Sequence, residues 1–433
     1  MKRFALCFIL ALLALGAYAQ RDGVREEVLA DWNKSSGLDC VYDMTPKALT
    51  PSPKGYKATY ISHYGRHGSR FAYTDKAYTV LLEMLREGAG KGNLTESGFT
   101  MLSNMEKFWE TARFRVGDLT SLGWAQHQFI AKTMVKEFPK AFGKGSVVDA
   151  CSSPATRSIV SMAAFVSAVS SAAPKAEVYA HQSTLDVQAT RPNMGHNPFR
   201  YKGPEQPFPY KESPAEFFLR RFPEYKVVLG RYFKDPDKAL GKRDPWKVFF
   251  NLYMFVAGMN SLNPEDRIPV DGFFTKEEYA TLWETDSYER YREYLPYRTS
   301  CASIVEDIIA KASDRLSGGP AGADLRFGHD HVVMGLLTLM DIENFGHIPE
   351  DGDDVVKYFQ TFRSPMAANL QFVFYTPKGS KKDKPVLVKL LLNGEEARIG
   401  TIETSRWPYY EWDAVKNYLE GRVALFVTER PKP

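Results

Sequence analysis

The sequence predicts an α/β fold, a three-layer sandwich with a largely parallel central sheet and an inserted, mostly α-helical lobe. Apolar strand-like runs alternate with amphipathic helical patterns, which is typical of a parallel sheet covered by helices. From Pro192 to about Tyr297 this alternation stops, and the chain becomes dense in Pro, Tyr, Phe, Arg and Lys. A chain of 433 residues also exceeds the usual length of a single-core domain. We therefore expect two lobes, or one core with a large insertion.

The start of the chain has the pattern of a secretory signal peptide. A basic beginning precedes an apolar run from Phe4 to Ala17, which ends in an A-x-A sequence at Ala19. The run is shorter than the roughly 20 residues of a membrane-spanning helix, and charged residues follow directly after Gln20. The sequence therefore predicts a signal peptide at 1–19, a periplasmic or secreted protein, and no stable membrane anchor.

The predicted strands and helices flank the inserted segment. We expect an α/β core over residues 20–186 and 301–433, and a mostly helical insertion, or cap, over 187–300. An Asn393-Gly394 pair between apolar runs predicts a hairpin at a sheet edge. The predicted strands are 57–63, 146–151, 176–180, 324–328 and 371–375, and the predicted helices are 120–138 with Thr120 as N-cap, 246–259, 302–316 and 409–420.

Composition excludes some classes of function. The chain has 56 basic and 52 acidic residues, a near balance that does not indicate a basic surface for binding nucleic acid. After the signal peptide, Cys40, Cys151 and Cys301 remain, without the CxxC spacing of zinc or redox sites. We expect one disulfide at most.

The most specific motif follows the first predicted strand and reads RHGSR, from Arg66 to Arg70. Guanidinium groups match phosphate oxygens in a bidentate way, and two of them favour a dianion. Gly68 allows a close approach of the backbone to the anion. His67 lies between the arginines and is a candidate nucleophile, because a neutral imidazole nitrogen can attack phosphorus. A basic surface loop with an incidental histidine is the alternative for this motif taken alone.

Two further motifs follow predicted strands. Arg157 lies where a helix begins after the second strand, and it is a candidate phosphate clamp. His329 and Asp330 follow the fourth strand. In one short loop they offer a hydrogen-bond donor for the phosphate oxygens and a proton donor for the leaving group. His331 beside them is equally compatible with a core position. Ligands of parallel sheets bind beyond the carboxyl ends of the strands, so we expect the three motifs to converge on one phosphate.

These motifs resemble those of a known family. RHGSR, the GDLTSLGWAQHQ segment at 117–128, the SSPATRSIVSMAAF segment at 152–165 and GHD at 328–330 are similar, in the same order, to motifs of the histidine acid phosphatases. This family forms branch 2 of the histidine phosphatase superfamily and includes phytases and multiple inositol polyphosphate phosphatases. The resemblance covers nearly the whole chain after the signal peptide and is weakest in the insertion.

The resemblance implies a metal-independent acid phosphatase without a cofactor. His67 would be the nucleophile, and Asp330 would protonate the leaving alcohol and then activate water against the phosphohistidine. The substrate would be a small phosphomonoester, with phytate and other inositol polyphosphates among the candidates. An acidic pH optimum is expected. The residues that would hold the phosphoryl oxygens are Arg66, Arg70, Arg157 and His329.

Two departures from the family pattern and several alternatives stay open. Many secreted relatives carry several disulfides, a pattern that three cysteines cannot reproduce. Many multiple inositol polyphosphate phosphatases have His-Ala-Glu where this chain has His-Asp, which resembles the acid phosphatase and phytase branch and leaves the substrate open. The alternatives are a mutase, a metal-dependent hydrolase that uses His329, Asp330 and His331, and a non-catalytic phosphate-binding protein.

Overall fold

A central sheet of eight strands organises the molecule, for which a computed structural model describes residues 23–195, 197, 199–379 and 384–431. The predicted signal peptide at 1–19 lies outside the described residues. The strand order is β3-β2-β4-β1-β5-β6-β7, and β8 pairs with β6. The strands are β1 (Tyr56–Arg66), β2 (Val147–Ser152), β3 (Glu177–His181), β4 (Gly322–Gly328), β5 (Asn369–Pro377), β6 (Leu387–Leu392), β7 (Glu395–Ala397) and β8 (Tyr410–Glu411).

Half of the sheet is parallel and half is antiparallel. The neighbours β3, β2, β4 and β1 run parallel, whereas β5, β6, β7 and β8 join by antiparallel pairs. All seven residues of β4 are buried, as expected for a strand that is covered on both faces. The predicted hairpin is confirmed, because Asn393 and Gly394 have φ values of 54° and 81° between β6 and β7.

Helices surround the sheet and also form a separate layer of their own. The helix that was predicted with Thr120 as N-cap is confirmed, since the Thr120 hydroxyl accepts the Gly123 N–H. The α-helices are α1 (Val24–Ala30), α2 (Lys76–Gly90), α3 (Glu96–Ala112), α4 (Ser121–Glu137), α5 (Thr156–Ala172), α6 (Val187–Thr190), α7 (Pro214–Arg221), α8 (Lys226–Gly230), α9 (Pro236–Leu240), α10 (Pro245–Met259), α11 (Lys276–Tyr294), α12 (Tyr297–Leu316), α13 (Asp330–Met340), α14 (Val355–Tyr358) and α15 (Trp412–Phe426).

Two helical layers cover the sheet. On one face α4 and α5 bury Met134 and Phe165 against Phe327 of β4. On the other face α12, α13 and α15 pack their apolar sides, such as that of Ile304, on strands that include Phe372 of β5. The predicted α/β class, with helices on both faces of the sheet, is therefore confirmed.

A further hydrophobic core belongs to a helical lobe, which we define as α1–α3 together with α7–α11. Leu81 of α2 and Met105 of α3 share this core with Phe218, Phe249 and Trp283 from the inserted segment. Residues 76–112, which the sequence analysis placed in the first part of the α/β core, thus pack with the predicted insertion. The boundaries 187–300 for a separate cap stay a prediction.

The three cysteines and the helices bear on two other expectations. Cys40, Cys151 and Cys301 are buried and free, so no disulfide forms within the described part of the chain. Across the described ranges, none of the helices is both long and apolar enough to cross a membrane.

Candidate active site

The first and third motifs meet because their strands are parallel neighbours. Arg66, at the end of β1, pairs with Gly328 at the end of β4. The His67 N–H donates to the Gly328 carbonyl at 3.0 Å, and the His67 carbonyl accepts the Ala367 N–H at 2.9 Å. The backbone of His67 is therefore fixed on both sides at the carboxyl edge of the parallel strands, where ligands of such sheets bind.

The loop after His67 is clamped against the start of α4. A Cβ atom on Gly68 would lie 2.5 Å from the Gly123 carbonyl oxygen, and one on Gly123 would lie 2.3 Å from the Ser69 carbonyl oxygen. Gln126 accepts the Ser69 N–H and donates to the Ser69 hydroxyl, both at 2.9 Å. The segment 117–128, which resembles a family motif and begins the helix predicted from Thr120, thus holds the RHGSR loop in place.

His67 is held as a neutral imidazole with one defined tautomer. Its side chain is buried, and Nδ1 lies 3.0 Å from the Gly68 carbonyl oxygen. Because a carbonyl can only accept, Nδ1 carries the proton and Nε2 keeps its lone pair. Burial, followed by the charges of Arg157 and Arg66, holds the pKa of His67 well below its ordinary value. This is the state that a nitrogen nucleophile requires.

Several guanidinium groups in this cleft have N–H donors without hydrogen-bond partners. Arg66 is fully buried; it donates to the carbonyls of Leu38 and Ser364, and its other terminal nitrogen lies 3.4 Å from Asp330 Oδ2. Buried nitrogens without a partner are uncommon, and they show that these guanidinium groups are not fully hydrogen-bonded within the described chain. The arginines whose Nε is buried without a hydrogen-bond partner, and which line the cleft, are Arg66, Arg70, Arg157 and Arg191.

His329 links the second and third motifs. It stands just before α13, and its Nε2 lies 2.9 Å from the Ser153 hydroxyl, which belongs to the loop before α5. The Ser153 N–H in turn donates to the Phe327 carbonyl at 2.9 Å. The rings of His329 and His67 are 5.7 Å apart between centroids. Burial lowers the pKa of His329 well below its ordinary value, with His331 and Arg191 adding to this effect.

Asp330 is the first residue of α13 and points a carboxylate at the arginines. Its Oδ1 accepts the His331 N–H at 2.9 Å. Burial acts to raise the pKa of Asp330, but Arg66 and His331 outweigh burial and hold this pKa well below the ordinary value. The carboxyl group is therefore ionised in this arrangement, and the role of Asp330 as proton donor stays a prediction.

The structure brings all six predicted site residues to one cleft of about 830 Å³. It also shows cleft residues that the sequence analysis missed. No motif marks these residues, because they come from separate segments that meet only in the fold. The missed charged residues that line the cleft are Asp39, Arg191, Asp286, Arg290 and Glu293.

The metal-dependent alternative finds no support in the geometry. The rings of His329 and His331 stack at 5.4 Å, while Nε2 of the first contacts Ser153 and Nε2 of the second lies 3.1 Å from Asn193 Oδ1. Within the described ranges, no group of three or more His, Cys, Asp or Glu side chains is arranged to hold a metal ion.

Comparison with known proteins identifies the fold. No family model and no curated protein sequence matches the chain. The multiple inositol polyphosphate phosphatase of Bifidobacterium longum, solved with inositol hexasulfate, superposes with a TM-score of 0.68 at 16% identity over 89% of this chain and 97% of that chain. The chain has the fold of the histidine acid phosphatases.

Phytases share this histidine acid phosphatase fold with the chain. The phytase of D. castellii superposes with a TM-score of 0.67 at 13% identity, over 92% of this chain and 86% of that chain. The phytase of Citrobacter braakii gives 0.52 at 13% identity, over 84% and 98%. The resemblance that the motifs predicted is therefore confirmed at the level of the fold.

Proposed function

We propose that the chain is a phosphomonoester hydrolase that passes the phosphoryl group to His67 and then to water. The observation that carries the proposal is the neutral, buried imidazole of His67, whose Nδ1 donates to Gly68 and whose Nε2 keeps its lone pair. It shares its cleft with four guanidinium groups that have unpartnered donors. The histidine acid phosphatase fold supports the same conclusion.

The first chemical step forms a nitrogen–phosphorus bond and breaks the ester bond. The Nε2 lone pair of His67 attacks phosphorus while Arg66, Arg70 and Arg157 neutralise the phosphoryl oxygens. The alcohol leaves with a proton from Asp330. In the second step water attacks the phosphohistidine, Asp330 takes a proton from that water, and inorganic phosphate leaves.

The proton on Asp330 arrives with the substrate. Arg66, 3.4 Å away, holds the pKa of this carboxyl group well below its ordinary value. A phosphate bound to Arg66 offsets the guanidinium charge and adds negative charge beside the carboxylate, and both effects raise the pKa of Asp330. A phosphate monoester monoanion also carries a proton that can pass to Asp330. Asp330 is thereby protonated, and able to act as the acid, only when a substrate is present.

Export and substrate class complete the proposal. The signal-peptide pattern at 1–19 supports a periplasmic or secreted enzyme. The Bifidobacterium enzyme with this fold was solved with inositol hexasulfate, so an inositol polyphosphate such as phytate is one candidate substrate. Any phosphomonoester small enough for the cleft is another.

Trapping of the intermediate tests this mechanism. The protein is mixed with 4-nitrophenyl phosphate that carries a labelled phosphorus, quenched in alkali within one turnover, and digested to locate the label. We expect an acid-labile phosphate on the peptide that contains His67, and neither label nor turnover in His67→Ala. The matched control His347→Ala removes an exposed histidine, and this variant should retain both the label on His67 and turnover. Turnover in the wild type without any label on His67 would overturn the mechanism.

A further inference from the structure

The outer wall of the cleft, made by α11 of the helical lobe, carries a paired cation. The Arg290 side chain is only 9% exposed, and its Nε donates to Asp286 Oδ1 at 3.2 Å. Another of its nitrogens donates to Glu293 Oε2 at 2.9 Å. One guanidinium on this wall thus faces two carboxylates, and its charge is already matched before any ligand binds.

A third carboxylate lies close to the phosphate-binding arginines. Asp39 is buried, and its Oδ1 is 3.6 Å from a terminal nitrogen of Arg70. No lysine lines the described cleft. The uncharged polar groups around it are hydroxyls and an amide, which donate and accept hydrogen bonds without a net charge. These groups belong to Ser36, Tyr73, Asn193, Tyr253, Tyr294 and Tyr297.

The cationic side chains of the cleft are sufficient for one phosphate group and leave few unpaired cations for further phosphates. Arg66, Arg70 and Arg157 are assigned to the transferred phosphate, so Arg191 is the one remaining cation of the cleft that no carboxylate in the described chain pairs. A hexakisphosphate brings several further anionic phosphate groups next to a wall whose cation, Arg290, is already paired. A charge that loses water without gaining a counter-charge is strongly unfavourable.

We infer that the cleft selects esters with a single phosphate on a hydroxyl-rich leaving group, such as sugar or polyol phosphates, over inositol hexakisphosphate. The inference rests on the proposed function and narrows its substrate class. Carboxylates and phenols on the wall accept hydrogen bonds from the hydroxyls of such a leaving group, whereas the described wall offers no unpaired cation to additional phosphates.

The balance of charge on the wall holds in acid as well. Burial raises the pKa of Asp286 to about 7, against the opposing charge of Arg290, with Glu289 and Asp39 raising it further. When Asp286 takes up a proton, Arg290 still contacts the carboxylate of Glu293. The wall then has no excess charge of either sign, and no free cation for a second phosphate.

The test compares kcat/KM for glucose 6-phosphate and for inositol hexakisphosphate at about pH 5 and fixed ionic strength, with 4-nitrophenyl phosphate as a common reference. We expect the wild type to favour the sugar phosphate by about tenfold or more. Glu293→Lys should shift this ratio towards the hexakisphosphate by about tenfold, as expected when a charge near a bound phosphate is reversed. The Glu293 side chain is 49% exposed, so the change does not threaten folding.

Glu277→Gln is the matched control, because it changes an exposed acid on the same helix and should leave the ratio unchanged. A wild-type preference for hexakisphosphate, or an unchanged ratio in Glu293→Lys, overturns this inference alone. Failure to hydrolyse 4-nitrophenyl phosphate overturns the proposed function, and the inference with it.

Discussion

At the scale of single residues, the site depends on contacts that fix proton positions. The Gly68 carbonyl accepts a hydrogen bond from the Nδ1–H of His67, and Arg66 holds the pKa of Asp330 well below its ordinary value. The sequence could predict these residue types, because histidine between arginines points to phosphate chemistry by itself. It could not predict the tautomer of His67 or the ionisation of Asp330, since both are set by neighbours that only the fold supplies.

Replacement of Asp330 tests its role as the proton donor. Asp330→Asn keeps the size of the side chain but carries no transferable proton. We expect kcat for glycerol 2-phosphate, whose alkoxide needs protonation, to fall by about a hundredfold or more. For 4-nitrophenyl phosphate, whose leaving group is stable as an anion, the fall should be about tenfold or less. Equal losses on both substrates, measured under saturating conditions, would contradict the assignment.

At the scale of elements, local periodicity predicted much more than long-range packing. The strand before RHGSR, the helix capped by Thr120 and the Asn393-Gly394 hairpin all lie close to their predicted positions, because alternation, capping and turn residues act within a few neighbours. The shared core of Leu81, Met105 and Phe249 could not be predicted from the local sequence. Nothing in the local pattern of α2 and α3 states which lobe covers their apolar sides.

The contact between α4 and the RHGSR loop gives a prediction at this scale. In Gly123→Ala the new Cβ would lie 2.3 Å from the Ser69 carbonyl oxygen, which is backbone and cannot rotate away. We expect a loss of about 1–3 kcal/mol in the free energy of unfolding, as in other overpacked sites. Because the loop carries His67, the proposed nucleophile, kcat should also fall, by about a hundredfold for a displacement near 1 Å.

A matched helix glycine separates this contact from general effects of alanine. The Cβ of Gly421→Ala in α15 would meet no heavy atom within 4 Å. This change should stabilise the protein by about 0.5–1 kcal/mol and leave kcat unchanged. Urea unfolding of both variants measures the change in the free energy of unfolding, and initial rates measure the change in kcat. An unchanged kcat in Gly123→Ala would show that the loop does not depend on the start of α4.

At the scale of the whole molecule, two buried histidines outside the proposed mechanism make the free energy of unfolding depend on pH. His63 and His127 are buried against Phe165 and Phe327. Burial lowers the pKa of each to about 3, and for His127 it outweighs the opposing effect of the Arg66 backbone. Both side chains are therefore neutral in the folded protein at mildly acidic pH, down to about pH 4.

This arrangement predicts that stability falls as the medium becomes acidic. The unfolded chain takes up protons at His63 and His127 below about pH 6.5, whereas the folded chain does so only near pH 3. Each histidine thus removes about 1.4 kcal/mol of stability per pH unit between these limits. His127→Phe keeps a ring against Phe165 and Phe327, so the free energy of unfolding, measured in urea between pH 7 and pH 4, should fall less steeply by about this amount. The exposed control His347→Phe should keep the wild-type slope, and an unchanged slope in His127→Phe would show that His127 is not held neutral by the core.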